Sequence, residues 1–121
     1  MAKSKYVSLF YQFLVAAQDP KSTKGRLGID AVDERILEEL AASWSSKTPI
    51  TVLEIMNKVA FVSTTTAHRR LKSLKKSGLI DLELRDEDNR VKNVVPTEKT
   101  LQHFDFLGRC MVMACKSENK E

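Results

Sequence analysis

Residues 51–80 read TVLEIMNKVAFVSTTTAHRRLKSLKKSGLI, and this stretch decides the fold. It begins with Thr51 and has Glu54 three residues later, a capping-box spacing that predicts the start of a short helix. Ser63 is placed to cap a second helix, and Gly78 to end it, because glycine readily adopts the left-handed conformation that follows a helix C-terminus. The stretch therefore predicts two helices joined by a short apolar connector.

The second helix of this pair has one apolar face and one face of hydroxyl and basic groups. Ala67, Leu71 and Leu74 are spaced i, i+4 and i+7, so we expect them to face the core. The opposite face carries small donors and cations: Thr64, Thr65, His68, Arg69 and Lys72. Arginine forms two hydrogen bonds to guanine and threonine packs against the thymine methyl group, so this face fits the major groove of DNA.

Positive charge is concentrated on this same helix. Residues 63–80 contain five Lys and Arg residues and no acid, whereas the rest of the chain has 15 basic and 16 acidic residues. A focused basic patch is typical of a surface that binds a polyanion. A solvated helix face is the alternative interpretation of the charge pattern taken alone.

A β-hairpin is predicted directly after the basic helix. Residues 79–84 alternate apolar and polar side chains after Leu79, residues 86–89 form a turn cluster, and residues 91–95 form the returning strand. A helix, a short helix, a basic helix and a hairpin, in that order, are the elements of a winged helix-turn-helix. In such a fold the second helix of the pair, the recognition helix, enters the major groove.

Three further helical segments complete the predicted organisation, which is mostly α with a two-stranded wing (α+β). Asp30 is a candidate N-cap for the helix that precedes the pair, whose apolar face includes Ile36, Leu40 and Trp44. The predicted segments are an N-terminal dimerisation helix (1–18), a linker (19–29), the winged helix-turn-helix domain (30–96), a C-terminal dimerisation helix (97–116) and a tail (117–121).

The two terminal helices carry apolar stripes that the winged helix does not need for its own core. These stripes contain Tyr6, Phe10, Phe13, Leu14, Phe104, Leu107, Met111 and Val112. Exposed apolar patches of this kind usually mark an interface, so we expect a homodimer that holds two recognition helices about 34 Å apart, one turn of DNA. The alternative is that both helices fold onto their own domain as a lid.

Residues 30–107 resemble the winged-helix transcriptional regulators of the multiple-antibiotic-resistance regulator (MarR) type. Residues 62–80, VSTTTAHRRLKSLKKSGLI, and residues 88–99, DNRVKNVVPTEK, carry the resemblance. Regulators of this type have an Asp and an Arg two positions apart in the wing, where the Asp orients the Arg towards the minor groove. Asp88 and Arg90 match that spacing, so the resemblance implies a minor-groove contact by Arg90.

The predicted DNA-binding residues lie on the helix pair and on the wing: Thr51, Ser63, Thr64, Thr65, His68, Arg69, Arg70, Lys72, Lys76, Arg90 and Lys92. Several of them have open alternatives, and for Arg69 and Lys72 the alternative to DNA contact is a solvated helix face. Thr51 caps its helix or stands where backbone N–H groups meet a phosphate, His68 is a surface residue or a DNA contact, and Arg90 reaches the minor groove or pairs with an acid of the wing. Arg70 and Lys76 lie at the helix margin, and we expect them to touch phosphates.

Other classes of protein have little support in the sequence. The chain shows no catalytic triad order, phosphate-binding glycine loop or metal-ligand spacing, so we predict no enzyme, no cofactor and no metal. No apolar run approaches the roughly 20 residues of a membrane span, so we predict no membrane partner. Cys110 and Cys115 are expected to be buried small hydrophobic residues, with a redox-sensing thiol as the alternative. With no export signal, we expect a cytoplasmic protein.

The sequence thus predicts a protein that binds double-stranded DNA sequence-specifically as a homodimer and regulates transcription. Two other functions stay open: a protein-interaction module that reuses the winged helix, and a replication, DNA-end or architectural factor. A small-molecule effector is left open and is not indicated by any motif.

Overall fold

The computed structural model describes residues 4–18, 29–85 and 88–119. Within these ranges five helices and two strands occur in the predicted order: α1 (Lys5–Ala17), α2 (Ala31–Ser45), α3 (Val52–Lys58), α4 (Thr64–Lys76), β1 (Ile80–Arg85), β2 (Asp88–Pro96) and α5 (Glu98–Asn119). The chain divides into two compact units, residues 28–100 and residues 1–27 with 101–121. Apart from residue 29, the predicted linker lies outside the described residues.

The core of the 28–100 unit is built from α2, α3, α4 and the hairpin. Its buried apolar side chains are Ile36, Leu37, Leu40, Ile50, Ile55, Val59, Ala67, Leu71, Leu74, Leu79, Ile80 and Val94. The Trp44 indole N–H donates to the Val94 carbonyl at 3.0 Å, and the Val94 N–H donates to the Ile50 carbonyl at 2.8 Å. β2 is therefore fixed both to α2 and to the segment that precedes α3.

The C-terminus of α4 explains why the chain turns sharply into the wing. The Leu79 N–H donates to the Leu74 carbonyl at 2.9 Å and the Gly78 N–H donates to the Lys75 carbonyl at 3.0 Å. This pair of bonds is a Schellman motif, and Gly78 has the positive φ of +77° that the motif requires. The predicted role of Gly78 is thus confirmed.

The hairpin pairs β1 with β2 in antiparallel register and extends further than predicted. Ile80 lies opposite Pro96 and Leu84 opposite Lys92, after which the register shifts and Arg85 lies opposite Asp88. The returning strand begins at Asp88 and not at residue 91, because backbone pairing in an exposed ribbon continues through polar residues that break the apolar alternation. The predicted turn over 86–89 is shorter by its last two residues.

The first turn of α5 is bonded to the end of α4 and the start of β1. The Thr97 hydroxyl donates to the Gly78 carbonyl at 2.6 Å, and the fully buried Thr100 hydroxyl donates to the Leu79 carbonyl at 2.5 Å. These bonds satisfy backbone carbonyls that have no hydrogen-bond partner within the helix end or the turn. The segment that follows β2 is therefore bonded to the segment that precedes β1, which fixes the base of the wing.

The terminal unit contains α1 and most of α5. Ser4 caps α1, which has no buried residue. α5 continues to Asn119, beyond the predicted end at residue 116, so the first residues of the predicted tail are helical. Cys110 is buried, as expected, but Cys115 is exposed, because a spacing of five residues turns it about 140° around the helix axis. The prediction that both cysteines are buried is wrong for Cys115.

Candidate nucleic-acid interface

α4 separates its apolar and its basic side chains onto opposite faces, as the sequence predicts. Ala67, Leu71 and Leu74 are buried at 0%, 6% and 1% exposure. The exposed side chains of the other face include Thr64, Thr65, His68, Arg69, Lys72 and Lys76. The first turn of α4 carries no acid and the last turn carries Lys75 and Lys76. This face therefore offers hydroxyl, imidazole and cationic groups to a ligand without an acid of its own helix among them.

The predicted capping residues serve the helices themselves. The Ser63 hydroxyl accepts from the Thr66 N–H at 3.1 Å and donates to the Thr66 hydroxyl at 2.9 Å. The Thr51 hydroxyl accepts from the Glu54 N–H at 3.1 Å and donates to the Glu54 carboxylate at 2.9 Å. The Glu54 carboxylate in turn accepts the Thr51 N–H at 3.0 Å, which completes the predicted capping box. Of the two interpretations of Thr51, these bonds support the cap.

Arg70 is engaged within the fold, which the sequence did not reveal. Its Nη1 atom donates to Oδ2 of Asp30 at 2.5 Å and to Oδ1 of Asp33 at 3.5 Å. Asp30 is the N-cap of α2 and accepts the Asp33 N–H at 3.0 Å. That backbone bond and the Arg70 guanidinium hold the pKa of Asp30 below its ordinary value, whereas desolvation raises the pKa of Asp33. Arg70 thus links α4 to the first turn of α2.

The base of the wing is attached to the start of α3. The Arg85 Nε–H donates to the Asn93 side-chain oxygen at 3.2 Å, and Arg85 Nη2 lies 3.8 Å from the Glu54 carboxylate. Asn93 also forms an isolated bridge with Thr51. These contacts hold the hairpin beside the helix pair, and the predicted wing contacts Arg90 and Lys92 are exposed. The wing acids that were predicted as alternative partners of Arg90 are residue 86 and the side chain of residue 88, and both lie outside what the structure describes.

The apolar residues predicted for a dimer interface divide into two classes by exposure. Tyr6, Phe10, Met111 and Val112 are exposed, at 69%, 56%, 56% and 53%. The other four, Phe13, Leu14, Phe104 and Leu107, are half-buried. Val15 at 73% and Met113 at 61% extend the exposed apolar surface beyond the predicted set.

No three His, Cys, Asp or Glu side chains in ranges 4–18, 29–85 and 88–119 are grouped so that they could hold a metal ion. No helix in the same part of the chain combines the length and the apolar character needed to cross a membrane.

The sequence of the winged unit matches a known DNA-binding family. Residues 33–89 match the family model described as the LexA DNA binding domain, a region that runs from α2 into β2 and covers just under half of the chain. Comparison with curated protein sequences finds no match.

Solved structures show that the fold is the winged helix of MarR-like regulators. A MarR-like transcriptional regulator from Thermotoga maritima superposes with a TM-score of 0.67 at 20% identity, over 96% of this chain and 77% of that one. A second transcriptional regulator from the same organism, Tm0710, gives 0.66 at 15% identity, over 93% and 73%. S. aureus MepR in complex with DNA gives 0.62 at 19% identity, over 97% and 91%. The predicted fold class is thus confirmed, and the resemblance drawn from residues 30–107 is confirmed at the level of the fold.

Proposed function

We propose that this chain binds double-stranded DNA sequence-specifically as a homodimer and regulates transcription. The observation that carries the proposal is the exposed, acid-free face of α4, presented by a helix-turn-helix whose relatives in fold are transcriptional regulators. One of these relatives, S. aureus MepR, was solved in complex with DNA. The proposal includes no catalytic step, and it places the protein in the cytoplasm with its DNA.

α4 acts as the recognition helix in this proposal. Arg69, in the middle of its exposed face, reads a base, with His68 and Lys72 beside it. Thr64 and Thr65, in the first turn, contact phosphates or thymine methyl groups. Lys76 in the last turn holds a phosphate, where it carries no sequence information.

The wing supplies the remaining contacts. Arg90 and Lys92 lie on β2, whose base is anchored to α3 through the bonds of Arg85 and Asn93. A hairpin held in this way projects its exposed cations beside the helix pair. In the proposal Arg90 reaches into the minor groove and Lys92 holds a phosphate of the backbone.

The first experiment is selection of bound sequences from a pool of random duplexes with the full chain. A palindromic motif is expected, because a two-fold dimer reads two half-sites about one helical turn apart. Enrichment of a motif without symmetry would contradict the dimer, and no enrichment would favour an architectural or protein-docking role.

Two substitutions on α4 then separate base reading from anchoring. Arg69→Ala is expected to cost about 1–3 kcal/mol of binding free energy on the selected duplex and to relax the base preference at one position of each half-site. Lys76→Ala is expected to weaken binding to selected and random duplexes alike. If Arg69→Ala, like Lys76→Ala, weakens binding to the selected and the random duplex by the same factor, the assignment of the groove-facing surface is wrong.

The dimer is proposed to form through the exposed apolar faces of α1 and α5. Deleting residues 1–18 removes Tyr6 and Phe10, two of the most exposed aromatic side chains, without touching any element of the 28–100 unit. Sedimentation is expected to show a dimer for the full chain and a weaker dimer or a monomer for the deletion. A full chain that stays monomeric at tens of micromolar would remove the dimer from the proposal.

A further inference from the structure

Arg70, the residue next to Arg69 on α4, differs from the neighbouring cations in its surroundings. Arg69 and Lys72 are exposed, whereas the Arg70 side chain is only 26% exposed and meets two carboxylates. One of these, Asp30, is fixed in place because it caps α2 and accepts the Asp33 N–H. The other, Asp33, is 13% exposed. The Arg70 guanidinium therefore bonds to a rigid point of the neighbouring helix.

A contact of this kind fixes how α4 is rotated about its own axis. Leu71 and Leu74 hold one side of the helix in the core, and Arg70 adds a polar attachment at the margin of that side. Surface groups of a helix lie about 5–6 Å from its axis, so a rotation of about 10° displaces them by about 1 Å. A two-bond contact between arginine and guanine tolerates less than that, because binding geometries need to hold to within about 0.5 Å.

We infer that Arg70 is a positioning residue: with Asp30 and Asp33 it sets the rotation of the recognition helix, and it does not itself bind a phosphate. The inference rests on the proposed function, which it deepens by assigning sequence specificity to a contact away from the DNA. It replaces the phosphate contact that the sequence predicted for Arg70.

The sign of an acid-to-amide substitution tests this inference. Removing a negative charge near a DNA-binding face, taken alone, raises the affinity for DNA because less repulsion remains. Asp30→Asn removes the charge but keeps a good N-cap, because an asparagine oxygen accepts the same backbone N–H. If Asp30 positions α4, the same substitution lowers affinity for the selected duplex. Glu34→Gln is the matched control, since Glu34 carries the same charge in the same turn of α2 and is exposed.

The experiment measures binding of the full chain to the selected and to a random duplex at several salt concentrations. Arg70→Gln, Asp30→Asn and Asp33→Asn are each expected to lower affinity for the selected duplex by about tenfold, the value of one disturbed base contact. Affinity for the random duplex is expected to stay within about twofold, and the slope of log affinity against log salt to stay unchanged, because no phosphate contact is lost. Arg70→Gln combined with Asp30→Asn is expected to be no worse than either alone, since both break one interaction.

Two results would overturn the positioning role of Arg70. A smaller salt slope and equal losses on both duplexes for Arg70→Gln would show a direct phosphate contact and overturn the inference. An affinity gain for Asp30→Asn equal to that of Glu34→Gln would overturn it as well. Thermal unfolding of each variant supplies the stability control, because a loss of folded protein lowers both affinities in one proportion. A wild-type chain that binds neither duplex would instead overturn the proposed function, and the inference with it.

Discussion

Salt dependence gives the most quantitative test of the proposed DNA interface. The change is Lys76→Ala in the last turn of α4, where the lysine is exposed and the helix carries no acid. Each Lys or Arg that neutralises a phosphate releases condensed counterions, so log affinity falls with log salt at a slope of about −0.9 per phosphate. Removing Lys76 is expected to make that slope smaller by about 0.9 for each protomer.

The exposed lysines of the interface set the size of the effect. If Lys72, Lys76 and Lys92 each neutralise one phosphate, a dimer neutralises about six, and affinity falls by about 2 × 10³-fold between 50 and 200 mM salt. The Lys76→Ala dimer retains about four such contacts and loses about 150-fold over the same range. The two affinities are therefore expected to approach each other by about 12-fold as salt rises.

Fluorescence anisotropy of a labelled duplex at a series of salt concentrations measures both slopes. Lys116→Ala on α5 is the charge-matched control, because Lys116 is exposed and has no proposed DNA contact. Its slope is expected to equal that of the wild-type chain. Equal slopes for Lys76→Ala and Lys116→Ala would refute the assignment of Lys76, and a wild-type affinity that does not change with salt would refute the nucleic-acid interface as a whole.

Three other predictions concern local conformation and the two thiols. Gly78→Ala is expected to lower the free energy of unfolding by about 1–2 kcal/mol, because φ at this position is +77°, although an added Cβ meets no atom within 4 Å. Lys47→Gly, at φ 57°, is expected to raise it by about 1 kcal/mol; urea unfolding measures both, and opposite shifts would contradict the backbone argument. Timed alkylation followed by mass spectrometry is expected to label exposed Cys115 first, since burial shields the Cys110 thiol and raises its pKa, and equal rates would contradict this.

The elements of the winged unit could be predicted because their signals are local. The capping box of Thr51 and Glu54 and the cap of Ser63 each act within four residues of sequence, and the structure confirms them. The apolar spacing of Leu71 and Leu74 likewise fixes which face of α4 is buried, without knowledge of what covers it. The candidate interface followed from the same spacing, because the residues left on the opposite face are the exposed ones.

The contacts between elements could not be predicted, because they depend on which parts of the chain meet in three dimensions. Asp30 and Arg70 are 40 residues apart, and each had a sufficient local explanation, as a helix cap and as one member of a basic run. Arg85 and Asn93 lie in the hairpin, but nothing near them in sequence indicates the contact of Arg85 with Glu54. The partners of long side chains depend on how the helices pack against each other. Their roles therefore follow from the fold and not from the neighbouring sequence.

The fold reduces the number of cations that the basic patch offers to a ligand. Counted along the sequence, residues 63–80 offer five cations to a polyanion. The carboxylates of Asp30, the N-cap of α2, and of Asp33 pair with Arg70, and the remaining four cations lie at exposed positions of α4. In the proposed interface, these two acids keep the charge of Arg70 from attaching α4 to any duplex, and the same ion pairs fix the rotation of α4. Specificity depends on the difference in affinity between selected and random duplexes, and in this proposal Arg70 contributes to that difference without contacting DNA.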